Sequence, residues 1–396
     1  MRFPMLVACL LVQSMLSMAV GAAPALRLSV RTAGNAPTLV SVNLPASVKT
    51  DRLRLLLLPG RTEVPCDVRL AEKGVRQLLW IHPGGSREYL LETDRDPSAP
   101  AQWKAELKEN ALQVTCDGRL VTRYVFSGAV KPYLYPIHAP TGVPMTRAYP
   151  MEQREGESTD HPHQKSFWFT HGDVNGADFW VEGENRGRIV HREFSDFAGG
   201  RVGAFIVTRN EWRSAQGQTV CTDTREVCIY DMGDLRVIDF TVTVRAGDQP
   251  LRFGDTKEGT FGIRIPTSME LRHGKGAILT SAGKRDKEAW GTRATWCQYS
   301  GDIGGEVYSI SVFDHPSNPH HPTHWHVRDY GLFAANPFGW RDFQNNPNTD
   351  GSFTIPAGAQ QSFRYRVVFS KGAVPAERLD ALYQAFAAPP AVEVNP

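Results

Sequence analysis

The sequence predicts an all-β protein: a large antiparallel β-sandwich of the supersandwich type, preceded by a small N-terminal β-sandwich and followed by one C-terminal helix. Three observations carry this. The 396 residues include 35 Gly and 27 Pro, a surplus that favours many turns over long helices. Short apolar or alternating runs, bounded by Gly, Pro and Asp, recur along most of the chain, as strands joined by turns require. Only PAERLDALYQAFAA, near the C-terminus, shows helical spacing, with apolar residues at 379, 382, 383 and 386.

Composition sets the outer limits. Hydrophobic residues make up 41% and aromatics 10%, enough for a sizeable core. The length suits two or three domains. Lys and Arg number 44 against 42 Asp and Glu, a net +2, which gives no reason to expect nucleic acid or an acidic membrane surface as a partner. Residues 1–23 read as a signal peptide: Arg2, the apolar LVACLLVQSMLSMAV, then Gly21, Ala22 and Ala23 as a cut site. Leu6 to Cys9 looks like a lipoprotein box, but few residues precede Cys9 and the apolar run continues past it, so plain secretion is expected. No later stretch reaches the ~20 apolar residues needed to span a bilayer. The mature protein is expected to be soluble and exported, most simply to a bacterial periplasm, and no feature speaks to its oligomeric state.

Export makes the cysteines informative. Without Cys9 there remain Cys66, Cys116, Cys221, Cys228 and Cys297, an odd number that leaves at least one free or paired between chains. Cys221 and Cys228 bracket TDTREV, a spacing that suits a hairpin and a local bridge; Cys66 with Cys116 is a second possibility.

Residues 24–130 form the expected N-terminal domain. LRLSV, TLVSVNL, RLRLLLL, RQLLWIH and REYLLE read as sandwich strands. ALQVTCDGRLVTRYVF reads as a hairpin with Asp117-Gly118 at its tip. The block gathers no catalytic residue types and reads as an accessory domain or as the first sheet of a larger sandwich. Residues 131–372 form the main domain and 373–396 the helix and tail. Pro132, Pro136, Pro140 and Pro144 exclude helix and suggest an extended strand. VCIYDMGDLRVIDFTVTVRAGD is a hairpin turning at Gly233-Asp234, and SFTIPAGAQQSFRYRVVF a final one.

Two stretches concentrate the chemistry. In the first, from Arg147 to Trp180, DHPHQKSFWF is expected to be a strand that puts His161 and His163 on one face. In the second, from His315 to Gly339, HWHVRDY is expected to do the same for His324 and His326. LRFGDTKEGTFGIRIP holds Asp255, Lys257, Glu258 and Arg264 in a strand-like segment. These charges either line the same cavity as the histidines or form an outward face of ordinary ion pairs.

Two His-x-His pairs suit a zinc, copper, iron or nickel ion. Carboxylates at ligand offsets are not evident, so no cofactor is expected, and a transition metal is the lesser reading. Acid–base work on a sugar is favoured. Trp168, Trp180, Trp290, Trp296, Trp325 and Trp340 offer flat walls for a pyranose, and burial can bring His and Glu near neutrality. Core aromatics would produce much of the same composition. GxSxG, GxxxxGK[ST], HExxH and GxGxxG are absent, which removes the usual support for serine-hydrolase, P-loop, zincin and Rossmann readings.

DHPHQKSFWFTHGDVNGADFW, with HPTHWHVRDYGLFAANPFG and FGDTKEGTFGIR, resembles a bacterial family of unknown function labelled PmoA-like, or "methane oxygenase", over roughly residues 130–370. Methane oxidation does not carry over: the copper subunit of that name has several spanning helices, and this chain has none. The strand-rich region is also similar to the galactose-mutarotase-like supersandwich, whose members bind sugars in a cleft across one sheet. That similarity implies His163 or His171 as acid and Glu258 as base. The expected function is therefore a secreted carbohydrate-active protein, with Arg147, His161, Trp168, Trp325, His326, Arg328 and Tyr330 lining the cleft. Proton transfer at or next to the anomeric carbon would make it an epimerase, lyase or hydrolase. The alternatives are a non-catalytic carbohydrate-binding envelope protein and a His-ligated metal enzyme.

Overall fold

Alternation decides which side chains a strand can bury, and the N-terminal runs follow it. The computed structural model describes residues 25–70 and 74–395. One N-terminal sheet holds Ala25–Arg31, Arg87–Thr93, Leu53–Leu57 and Thr62–Val64; a second holds Thr38–Asn43, Arg76–His82 and Cys66–Leu70. Their facing sides bury Leu28, Val30, Leu55, Leu78, Trp80 and Leu91. The far end of the chain completes this module. Ala391–Asn395 pairs antiparallel with Ala25–Arg31, and Val392 and Val394 pack onto the same core. The tail expected at 373–396 is thus partly a strand. The signal peptide expected at residues 1–23, with Cys9, lies outside the described residues.

Two eight-stranded antiparallel sheets form the main body. The first runs His324–Val327, Leu332–Asn336, Gly259–Arg264, Phe167–His171, Tyr133–Ile137, Arg119–Val125, Ala111–Cys116, Trp103–Leu107 in spatial order. The second runs Arg188–Gly199, Gly203–Arg213, Thr219–Met232, Leu235–Ala246, Gln360–Lys371, Glu306–Asp314, Trp296–Ile303, Ala277–Thr280. Between them lie Phe167, Phe169, Phe261, Ile263 and Phe333 from one side and Val227, Ile229, Phe240, Val242 and Ile310 from the other. Each such side chain contributes roughly 1.5–3 kcal/mol by leaving water. The protein is an all-β sandwich, as its turn-rich sequence predicts.

Strand pairing corrects several details. Residues 103–125 hydrogen-bond into the first large sheet, next to Tyr133–Ile137, so the division expected near residue 130 falls inside a sheet. Cys221 and Cys228 both sit on Thr219–Met232. Seven residues along one strand separate them by roughly 23 Å, which excludes a bridge, and all five described cysteines are free. SFTIPAGAQQSFRYRVVF is not a hairpin: Phe353–Ile355 pairs with Leu251–Phe253, while Gln360–Lys371 joins the second large sheet.

The C-terminal helix, Ala376–Ala387, buries Leu379, Leu382 and Tyr383. It seals the outer side of the second sheet against Tyr230, Met232, Trp296, Phe313 and Val368, and Ala36, Leu39 and Ile81 of the N-terminal module pack onto the same cluster. Among the described residues no helix is long and apolar enough to cross a membrane.

Candidate functional site

The outer face of the first large sheet carries the candidate site. Its register puts Trp168, Gly262, Ala334 and His326 in one row across four strands. The two small residues in mid-row make room for rings. A Cβ on Gly262 would meet Cζ2 of Trp168 at 2.6 Å, and Trp168 packs 5.3 Å from Trp180. With Leu332 and Ala334 these tryptophans form an apolar floor, against which Tyr133, Val181 and Tyr330 pack.

The two histidine-rich stretches meet above that floor. His161 lies parallel to Tyr330, ring centroids 5.0 Å apart and planes 3° from parallel. The strand, however, begins only at Phe167. His161 (φ 45°) and Ser166 (φ 53°) adopt left-handed backbone, which a strand cannot contain, so strand alternation does not place His161 and His163. Their rings nevertheless approach to 5.8 Å. An ion network fixes the loop instead. Asp160 Oδ1 accepts from Arg147 Nη1 at 2.6 Å and from Arg264 Nη2 at 2.7 Å. Burial and the neighbouring Arg147 push Arg264 down to about 10.

Three titratable side chains at this site have no polar partner among the described residues, and the buried Trp168 Nε1 and Trp180 Nε1 lack one as well. The side chains of Glu258, Arg328 and His163 make no hydrogen bond or ion pair to any described residue. Burial raises the Glu258 carboxyl above its ordinary range; Asp178 and Asp342 add to the rise, and Lys257 and Arg328 oppose it. The Glu258 charge lies near enough to Tyr330 to act on its hydroxyl. Burial, then the Lys131 charge, lowers His163 to about 4, leaving a neutral imidazole near pH 7. Its ring lies 6.5 Å from Trp180.

Sequence reasoning missed the opposite wall. Lys131 Nζ and Lys165 Nζ both donate to Glu182, at 2.8 and 2.6 Å. The Lys131 side chain is 1% exposed, and burial brings it down to about 8 against the pull of Glu182. No spacing or composition signal marks Lys131, Lys165 or Glu182, because three distant loops bring them together.

Several expected site residues are structural. His171 is 0% exposed; its Nε2–H donates to Gly254 O at 2.7 Å and Nδ1 accepts from Thr260 Oγ1 at 3.5 Å. It has no face for a substrate, which removes it as a candidate acid. Arg147, also 0% exposed, spends its donors on Tyr149 O, Ser158, Asp160 and His161 O. Trp325 points into the core and donates to Ala294 O at 3.0 Å. Trp168 is floor rather than platform, and Trp180 and Trp296 are buried as well; alternating strands here place rings inward as readily as outward. His326 shares the outer face with His324 as expected but is buried, its Nδ1–H donating to Lys257 O at 2.7 Å. Of the expected cleft residues, His161, His163, Glu258, Arg328 and Tyr330 keep surface at the site, with half-buried Trp290 beside Arg328.

Among the described residues no group of three or more His, Cys, Asp or Glu is placed to hold a metal ion. A roomier hollow, about 840 Å³, lies over the outer face of the second sheet. Several of its charges are paired: Arg209 with Glu193 at 2.9 Å, and Arg192 with Glu211. Arg364 there has no ion pair among the described residues but is exposed to water, whereas Glu258 and Arg328 on the first sheet are unpaired and half-buried; that burial, rather than volume, selects the site on the first sheet.

Residues 111–384 match DUF6807, described as a family of unknown function. The chain belongs to that family. The matched span includes every residue of the candidate site; the PmoA-like label is not part of the family's description. No curated protein matches the chain. Among solved structures, a protein in the glycosyl hydrolase family 38 from Enterococcus faecalis aligns at 11% identity and TM-score 0.38, covering 94% of this chain and 47% of that one. An alpha-mannosidase from Enterococcus faecalis V583 aligns at 10% identity and TM-score 0.40, covering 94% and 46%. The chain spans about half the length of these proteins, and at such scores the likeness assigns neither activity nor substrate.

Proposed function

We propose that this DUF6807 protein is exported and binds a carbohydrate above the Trp168–Trp180 floor, moving a proton at or next to the anomeric carbon. One observation carries the reading: Glu258 is a half-buried carboxyl with no partner among the described residues, held above its ordinary range and close enough to Arg328 and Tyr330 to interact electrostatically with both. A carboxyl whose burial makes it hold a proton more readily than a free one is suited to taking and returning a proton. The roles differ from those the mutarotase resemblance implies. His163, near 4, is neutral at pH 7 and serves as a hydrogen-bonding group to sugar hydroxyls, while Glu258 alone carries the proton.

The arrangement favours epimerisation or elimination over hydrolysis. Glycoside hydrolysis ordinarily uses two carboxyl groups across the scissile bond. Here Glu182 is held by two lysines, Asp178 by Arg186 at 2.8 Å, and Asp342 by Lys257 at 3.3 Å. That leaves Glu258 as the one unpaired carboxyl among these. The same fact supports a second reading, a carbohydrate-binding protein without turnover. The two separate on one experiment: a panel of mono- and oligosaccharides followed by NMR with wild type and Glu258→Gln. Turnover that falls about 10²–10⁴-fold in the variant, with unchanged melting temperature, supports the enzyme. Binding without turnover in wild type supports the second reading. Wild-type turnover by the variant removes Glu258 from the chemistry.

A further inference from the structure

Arg328 lacks a counter-ion in a neighbourhood where other cations have one. Arg147 and Arg264 share Asp160, Lys131 and Lys165 share Glu182, and Lys257 reaches Asp342. Among the described residues the Arg328 guanidinium makes neither a hydrogen bond nor an ion pair. It is held by rings, with Cζ 5.8 Å from the Trp290 centroid and 5.4 Å from that of Tyr330. Ring contacts restrain the plane of a guanidinium without consuming its N–H groups. The result is a half-buried, oriented fork of donors with no acceptor in the fold. Such a fork matches the two oxygens of a carboxylate, which it binds in bidentate fashion.

We propose that the ligand of this site is an acidic sugar, its carboxylate seated on the Arg328 fork and its ring lying toward Glu258. The inference rests on the carbohydrate reading and narrows it. Charge balance selects a carboxylate over a phosphate. Asp178 and Asp342 both lie near enough to act on Glu258, so a dianion arriving beside Arg328 is repelled more strongly by the carboxylates already present than a monoanion is. Neutral hexoses would leave the donors of Arg328 unmet in a partly dry site, at a cost in affinity.

The test is calorimetric titration of the full mature chain with glucuronate and galacturonate, with glucose and galactose, and with the 6-phosphates of both hexoses. The expected result is that one uronate binds about tenfold or more tightly than its neutral counterpart, as a charge-assisted bidentate pair provides. In Arg328→Met that ratio falls to about one, and in Arg328→Lys, a point charge without the fork, to an intermediate value. Neutral hexose binding as tightly as uronate, with a ratio indifferent to Arg328→Met, overturns the acidic-sugar assignment and leaves the carbohydrate reading standing. Tighter binding of the 6-phosphates overturns the choice of carboxylate. Failure of every sugar, neutral and acidic, to bind wild type overturns the carbohydrate reading itself.

Discussion

His161 and Tyr330 lie face to face, 5.0 Å apart and 3° from parallel, and this single stack joins two segments separated by about 170 residues of chain. Tyr330 is also the ring that Arg264 and Arg328 approach, at 5.0 and 5.4 Å. Its removal therefore costs more than one contact. Tyr330→Ala is expected to lower affinity for the best-binding sugar by about tenfold or more, given ~0.5–2 kcal/mol per aromatic or cation–π contact. Tyr330→Phe keeps the ring and most of the affinity. Calorimetry on both variants checks this; equal losses in the two would locate the effect in the hydroxyl instead.

Glu182 is the counter-charge of a lysine that water barely reaches. Glu182→Gln leaves Lys131 buried without it, and breaking such a pair costs about 3–5 kcal/mol. The double variant Lys131→Met/Glu182→Gln removes both charges and should recover a large part of that loss. Urea denaturation of the four proteins closes the cycle, and simple additivity would show that the two residues do not act together.

Acid should unfold the protein through its buried histidines. Burial lowers His171 and His326 to about 4, against about 6.5 in an unfolded chain. Between these values the unfolded state binds more protons, so stability rises with pH. The contribution is fully present above about 6.5 and lost as pH falls through about 4, on the order of 3 kcal/mol for each fully buried ring. His171→Phe should be less stable at pH 7, having lost its bond to Gly254, yet show a shallower decline below pH 6.5. An unchanged slope of denaturation midpoint against pH would mean that His171 does not titrate in this window.

Cys221 and Cys228 on one strand make a redox prediction. Unfolded in denaturant without reductant, the protein should react with a thiol-specific dye at Cys66, Cys116, Cys221, Cys228 and Cys297 alike, since all five are free. Loss of two labels would reveal a bridge that this strand register does not permit.

Fold and site were legible to different depths. The hairpin at Asp117-Gly118 was readable because its left-handed residues, φ 50° and 74°, are what a two-residue turn demands of its sequence. The helix Ala376–Ala387 announced itself by spacing. The domain division did not, because residues 103–125 look like the strands before them, and only their partner, Tyr133–Ile137, reveals which sheet they join. Tryptophan-rich stretches suggested a sugar platform, yet Trp168 and Trp325 are buried. Strand phase turns Trp325 into the core, whereas Trp168 stands on the outer face and is covered there by Trp180; composition records neither. In the sequence Glu258 stands out through the mutarotase-like resemblance and Arg328 through residue type. What distinguishes them from Arg147 is the absence of partners, a property of the folded chain that no local pattern carries.

The most direct measurement is where a sugar sits. Crystals of the Glu258→Gln variant, soaked with the sugar that wild type binds best, should show its ring bounded by Gln at 258, Arg328, Tyr330 and His163, above Trp168 and Trp180. Density for that sugar on the outer face of the second sheet, among Arg209, Thr224 and Thr243, with the first site bare, would contradict the account.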